Sequence, residues 1–161
     1  MINKLHLAMI ELYNGDAKRI QHFCKVHSYA KLIAETENVD EKCLFIIEAA
    51  ALTHDIGIHL CEEKYGNCNG KLQEKEGPAI AEKLLAKLGF DRDISDRVQY
   101  LIAHHHTYSN IDGIDYQILV EADFLVNIME DNLAKDAALK AYQNIFKTTC
   151  GKMICREMFG I

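Results

Sequence analysis

The sequence predicts an all-α protein, a single helical bundle, from three observations. Apolar residues recur at intervals of three and four almost throughout. Nine glycines and one proline are all that punctuate 161 residues. No stretch of period-two alternation is long enough to make a strand.

The elements follow in order. A first helix carries Leu5, Met9 and Leu12 and stops at Asn14-Gly15. Asp16 is placed as the N-cap of a long second helix running to Glu35. Asp40 caps a third, in which Leu44, Ile47, Ala51 and His54 share one face, and Gly57 ends it. Residues 58–72, with Gly66, Asn67, Asn69 and Gly70, read as a loop. A fourth helix is expected next, with Pro78 in its first turn, where a missing N–H costs little, and with Gly89 closing it. Asp91 or Asp93 caps a fifth, with Ile94, Val98, Leu101 or Ile102, and His105 in phase. Ser109 to Asp115, containing Asp112-Gly113, is a turn. A sixth helix holds Leu119, Ala122, Asp123 and Val126, and the helical pattern resumes beyond Asp131. With no repeat, linker or low-complexity tract, residues 1–161 are expected to form one domain. Residues 16–127 are its motif-bearing region and residues 128–161 its C-terminal helices.

Composition narrows the function. The chain is 49% hydrophobic and 26% charged, ordinary for a folded soluble protein and wrong for a disordered one. Apolar runs fall short of the ~20 residues of a membrane span. The start, MINKLHLAMIEL, lacks the layout of a signal peptide, so a cytoplasmic protein with no membrane partner is expected. A net charge of -6 argues against a nucleic-acid polymer as partner. The six cysteines include no CxxC pair and read as buried or incidental thiols. The eight histidines stand out, three of them consecutive at His104, His105 and His106.

His54-Asp55 is an odd pair to find at the end of the apolar run Ile46-Ile47-Glu48-Ala49-Ala50-Ala51-Leu52. An unpaired buried carboxylate costs several kcal/mol. A divalent cation would satisfy both groups. Alternatively, Asp55 caps local backbone and His54 hydrogen-bonds in the core. The pair alone leaves both readings open.

Three segments, "RIQHFCKV", "AALTHDIG" and "EADFLVN", place His22, His54-Asp55 and Asp123 in order on three expected helices. That pattern resembles the HD-domain superfamily of metal-dependent phosphohydrolases, from Asp16 to Asn127. The resemblance implies that His22, His54, Asp55 and Asp123 bind one metal. It prefers His22 to His27, because Val26 follows His22 at the family's spacing. It places a second metal with Glu76, where the family usually has His, and with His105 and His106 from the His run. In that alignment His104 points elsewhere. The cofactor is then a divalent transition metal, two ions in all, from Fe, Mn, Ni, Co or Zn. The implied reaction is hydrolysis of a phosphate ester or anhydride of a small phosphorylated substrate, such as a nucleotide, by metal-activated water. Asp55 and Arg19 are assigned to catalysis. Arg19 lies one turn before His22 and either neutralises phosphate charge or pairs with Asp16. Asn127, Tyr108, Tyr116 and Lys25 are candidate pocket residues.

Ile58 stands where the HD-GYP phosphodiesterase branch has Lys, and no GYP motif follows Asp112-Gly113, which argues against a cyclic dinucleotide substrate. His59 is expected in a solvent-facing loop. Two other classes are a diiron oxygenase of the same fold and a non-catalytic nucleotide or metal sensor. A homodimer through the first or last helix is a further expectation.

Overall fold

Four of the nine helices begin where a side chain supplies an acceptor for their free amides. In the computed structural model, which describes residues 1–161, Asp16 accepts from the Arg19 N–H and opens α2, and Asp40 accepts from Cys43 N–H and opens α3. Asn69 does the same for α5 through the Leu72 N–H, and Thr148 for α9 through the Gly151 N–H. The helices are α1 (Ile2–Leu12), α2 (Ala17–Thr36), α3 (Glu41–Thr53), α4 (Ile58–Tyr65), α5 (Gly70–Leu88), α6 (Arg92–Ile102), α7 (Ile114–Glu130), α8 (Lys135–Asn144) and α9 (Thr149–Phe159). No strand occurs, so the all-α expectation holds.

The stretch read as a loop over 58–72 differs. Ile58–Tyr65 forms α4, ended by Gly66 in the left-handed conformation. The turn signals are confined to the next few residues, and α5 already starts at Gly70. Pro78 therefore sits inside a 19-residue helix and not in its first turn. Asp91 takes the N-cap position of α6, although its side chain makes no capping bond.

The core runs between α2, α3 and α7, with α5 and α6 packed as a pair and α6 closing on α3. Buried Leu5 and Met9 of α1 and Ile154 and Cys155 of α9 join the same apolar cluster as Ile47, Leu101 and Ile118. One close approach positions the site. A Cβ on Gly57 would lie 3.0 Å from the Gly77 backbone nitrogen, and a Cβ on Gly77 would lie 2.7 Å from Ile102. The turn after α3 therefore touches α5 backbone to backbone.

By length and composition alone Glu41–Tyr65, which covers α3, the turn after it and α4, would pass as a membrane span. Here 67% of its most apolar window is buried inside the molecule. All six cysteines are free thiols.

Candidate metal centre

His22 projects from the second turn of α2, His54 and Asp55 from the turn ending α3, and Asp123 from the middle of α7. These three elements pack on one another, so their polar side chains meet at the centre of the bundle. His22, His54 and Asp123 are all buried, at 8%, 1% and 3% exposure.

The ring orientations are fixed from behind. His22 Nδ1 lies 3.0 Å from Glu130 Oε2, and His54 Nδ1 lies 3.0 Å from the Ala51 carbonyl. Each Nδ1 faces only an acceptor and so carries a proton, which leaves each Nε2 as the inward atom that binds either a second proton or a metal. The two Nε2 atoms stand 3.2 Å apart. Asp123 Oδ1 lies 3.3 Å from the first and 3.5 Å from the second, and Asp55 Oδ2 lies 3.5 and 3.6 Å from them. Two imidazole nitrogens and two carboxylate oxygens thus converge, and Asp123 Oδ1 is a buried oxygen with no hydrogen-bond partner.

This donor set fits a divalent cation. Ligand atoms about 2.1 Å from an ion stand about 3.0–3.4 Å from one another in octahedral or tetrahedral geometry, close to the separations here. The titration behaviour makes the same demand for positive charge. Burial alone would lower the His54 pKa, but the negative charges of Asp55 and Asp123 overcome it and raise it to about 9. Burial would raise the carboxylates; the surrounding imidazoles instead hold Asp55 down at about 2 and Asp123 far below its usual range.

A second convergent group adjoins the first. Asp55, His105 and His106 bring ligand atoms within 4.8 Å of one another, as do His22, His54 and Asp123. His105 Nδ1 faces the Ile102 carbonyl at 2.7 Å, so its Nε2 presents a lone pair toward Asp55 Oδ1 at 3.5 Å. The two oxygens of Asp55 therefore face one group each. Burial, followed by the neighbouring His105, pushes the His106 pKa down to about 4 and keeps its ring neutral. His104 turns away, with Nδ1 on the Tyr100 carbonyl at 2.7 Å and its ring against Tyr100.

Glu76 lies outside both groups, which corrects its expected place as a ligand. Its Oε1 accepts from Tyr65 Oη at 2.5 Å and from Lys64 Nζ at 3.0 Å, at the side of α4. One turn earlier, Gln73 is the residue α5 presents to the site. Its amide lies 3.3 Å from His105 Nε2 and 3.0 Å from His106 Nε2. Glu74 beside it accepts from the His106 N–H and the Thr107 hydroxyl, and so holds the His run in place.

Other expected residues divide. Arg19 lies at the mouth, with both terminal nitrogens engaged at 2.5 Å by Asp16 and Glu62. Asn127 lines the same cleft. Lys25 binds Glu130 at 2.8 Å. Tyr108 stands 3.4 Å from His106 Nδ1, whereas Tyr116 donates to the carbonyls of His104 and Thr107 and braces the turn from inside. His27 pairs with Glu48 away from the site, and exposed His59 sits 3.1 Å from Asp16.

Gln73, Glu130 and Tyr13 are site residues that the sequence reading missed. Glu130 was findable, since Asp123, Asn127 and Glu130 are spaced four and three apart and share one face of α7. Tyr13 Oη donates to the Asp55 carbonyl at 2.7 Å, a contact no local pattern announces.

A family model described as HD domain matches residues 19–142. No curated protein matches in sequence. Among solved structures, the fold is similar to the crystal structure of a predicted HD superfamily hydrolase from an uncultured Thermotogales bacterium. The TM-score is 0.71 at 24% identity, covering 98% of this chain and 84% of that one.

Proposed function

The chain belongs to the HD-domain family, and on that premise we propose that it is a metal-dependent phosphohydrolase acting on a small phosphorylated substrate such as a nucleotide. The observation that supports this most is the set of imidazole nitrogens and carboxylate oxygens converging from His22, His54, Asp55 and Asp123, with Asp123 Oδ1 buried and unpartnered. These four residues would hold one divalent cation. Asp55, His105 and His106 would hold a second, with Gln73 beside them. Bound there, such cations supply Lewis acidity toward water and toward phosphate oxygen.

The protein's own groups supply orientation and charge. Glu130 and the carbonyls of Ala51 and Ile102 lock three imidazole rings with Nε2 facing inward. Asp55 spans both groups, and Tyr13 fixes its backbone. Neutral His106 keeps a lone pair available at neutral pH. Arg19 stands at the entrance as a cation whose charge is already shared with Asp16 and Glu62.

The test is elemental analysis of the purified protein combined with a phosphate-release screen of nucleotides and phosphate esters under Mn, Fe, Ni, Co and Zn. Phosphate release that disappears in His54→Ala together with the metal is the expected result. Dioxygen consumption by the ferrous protein, with no phosphate released from any ester, overturns the reading in favour of an oxygenase. Metal and nucleotide binding with no turnover overturns it in favour of a sensor.

A further inference from the structure

The cleft that His22, Asp55 and Gln73 line at its floor has a volume of about 510 Å³ and an unusual charge for a phosphate site. Its rim, with the residues bonded directly to it, carries Lys18, Arg19 and Lys25 against Asp16, Glu62, Glu130 and Asp131. Carboxylates therefore exceed cations by one before the convergent residues are counted. Both terminal nitrogens of Arg19 are taken by Asp16 and Glu62, and Lys25 is taken by Glu130. Lys18 is the rim cation with no carboxylate partner. Asn127 and Asp131, one turn apart where α7 ends, line the cleft with side chains that make no hydrogen bond within the protein.

Lys18 is thus the one free cation on the rim, offset by the free carboxylate of Asp131, so a dianionic phosphate is neutralised chiefly at the floor. With one divalent cation in each group, the charges of Asp55 and Asp123 leave an excess of two positive charges. One phosphomonoester, with its second pKa of about 6, cancels that excess. Further phosphoryl groups would extend toward a rim that is net negative, where like charges are brought together. Besides the single ammonium of Lys18, the groups left free on the rim are an amide and a carboxylate, which suit hydroxyl or amino donors.

We propose that the cleft takes a phosphomonoester of an uncharged, hydroxyl-bearing molecule and discriminates against nucleoside di- and triphosphates. This rests on the hydrolase reading above and goes on to the class of substrate. Asp131 is the residue assigned to exclude polyphosphates, and Asn127 the residue that receives the hydroxyl-bearing portion.

The experiment measures kcat/KM of the metal-loaded full chain for AMP, glycerol phosphate and glucose phosphate against ADP and ATP, and by calorimetry the Kd of a non-hydrolysable AMP analogue against that of a non-hydrolysable ATP analogue, which should bind more weakly. The monoesters are expected to exceed ATP by about 100-fold. Asp131→Lys is expected to shrink that ratio by about tenfold through a lower KM for ATP, and Asp131→Asn by less. Asn127→Ala is expected to raise KM for glycerol phosphate more than for para-nitrophenyl phosphate, which offers no hydroxyl. ATP turned over as well as AMP, or a ratio that Asp131→Lys leaves unchanged, overturns the substrate class while leaving a hydrolase in place. No phosphate released from any ester by a protein that does hold metal overturns the hydrolase reading and this inference with it.

Discussion

His54 is pulled in two directions, and the balance sets a pH dependence. Burial disfavours its charged form, while Asp55 and Asp123 favour it strongly enough to lift its pKa from 6.5 to about 9. A pKa raised in the folded state stabilises fully below 6.5, and that contribution is lost as pH climbs through 9. Metal-free protein is therefore expected to melt at a lower temperature at pH 9 than at pH 6.5, measured by calorimetry with a chelator present. Metal binding displaces the same proton, so affinity should rise by up to about tenfold per pH unit over that window. His54→Ala and Asp55→Ala should lose bound metal while circular dichroism keeps its helical signal. At Glu130, removing the acceptor of His22 Nδ1 should weaken metal binding by about 10–100-fold in Glu130→Ala. Glu130→Gln, which still offers an oxygen, should recover most of it. Metal titration distinguishes the two variants. Charged ligand candidates were legible as motif residues because His, Asp and their spacing carry a chemical signature. Gln73 was not, because a glutamine on a helix is the ordinary occupant of any half-exposed position.

At the scale of elements, α5 shows how a correct local signal can mislead. Gly66 and Asn69 do mark a chain reversal, but they end one helix and cap the next, and do not make the whole of 58–72 irregular. Once α5 begins at Gly70, its register is set by Gly77 against Gly57 and Ile102, which turns Gln73 toward the His run and Glu76 toward Tyr65. The sequence carries no local trace of that tertiary contact. The helices whose apolar spacing is strong, α2, α3, α6 and α7, appear where it places them, except that α6 ends at Ile102 and leaves His105 in the turn that follows. A second long-range device ties α9 to α7. Buried Glu121 accepts from the Lys147 and Thr148 N–H groups, the Thr148 hydroxyl and the Gln117 amide. A Cβ on Gly151 would fall 2.0 Å from Glu121 Oε2. Gly151→Ala should therefore displace that carboxyl group and cost about 1–3 kcal/mol, read as a fall in the urea midpoint. Gly89→Ala, where a Cβ meets nothing within 4 Å, tests backbone strain alone for comparison.

Over the whole molecule, the segment that matches the family is shorter than the machinery that shapes the site. The match runs from residue 19 to residue 142. Tyr13, whose hydroxyl holds the Asp55 carbonyl, comes before it, and Lys147 and Thr148, which bond to Glu121, come after it. Leu5 and Met9 in front and Ile154 and Cys155 behind also fill the shared core. A chain trimmed to residues 19–142 would keep every residue proposed to touch metal and lose the bracing behind two of its walls. Such a fragment should chelate more weakly than the whole chain and expose apolar surface to a dye such as ANS. The recognisable pattern thus marks where chemistry is carried, while the outlying turns decide how rigidly it is held. Relatives that share only the pattern can then differ in metal retention without differing in a single ligand.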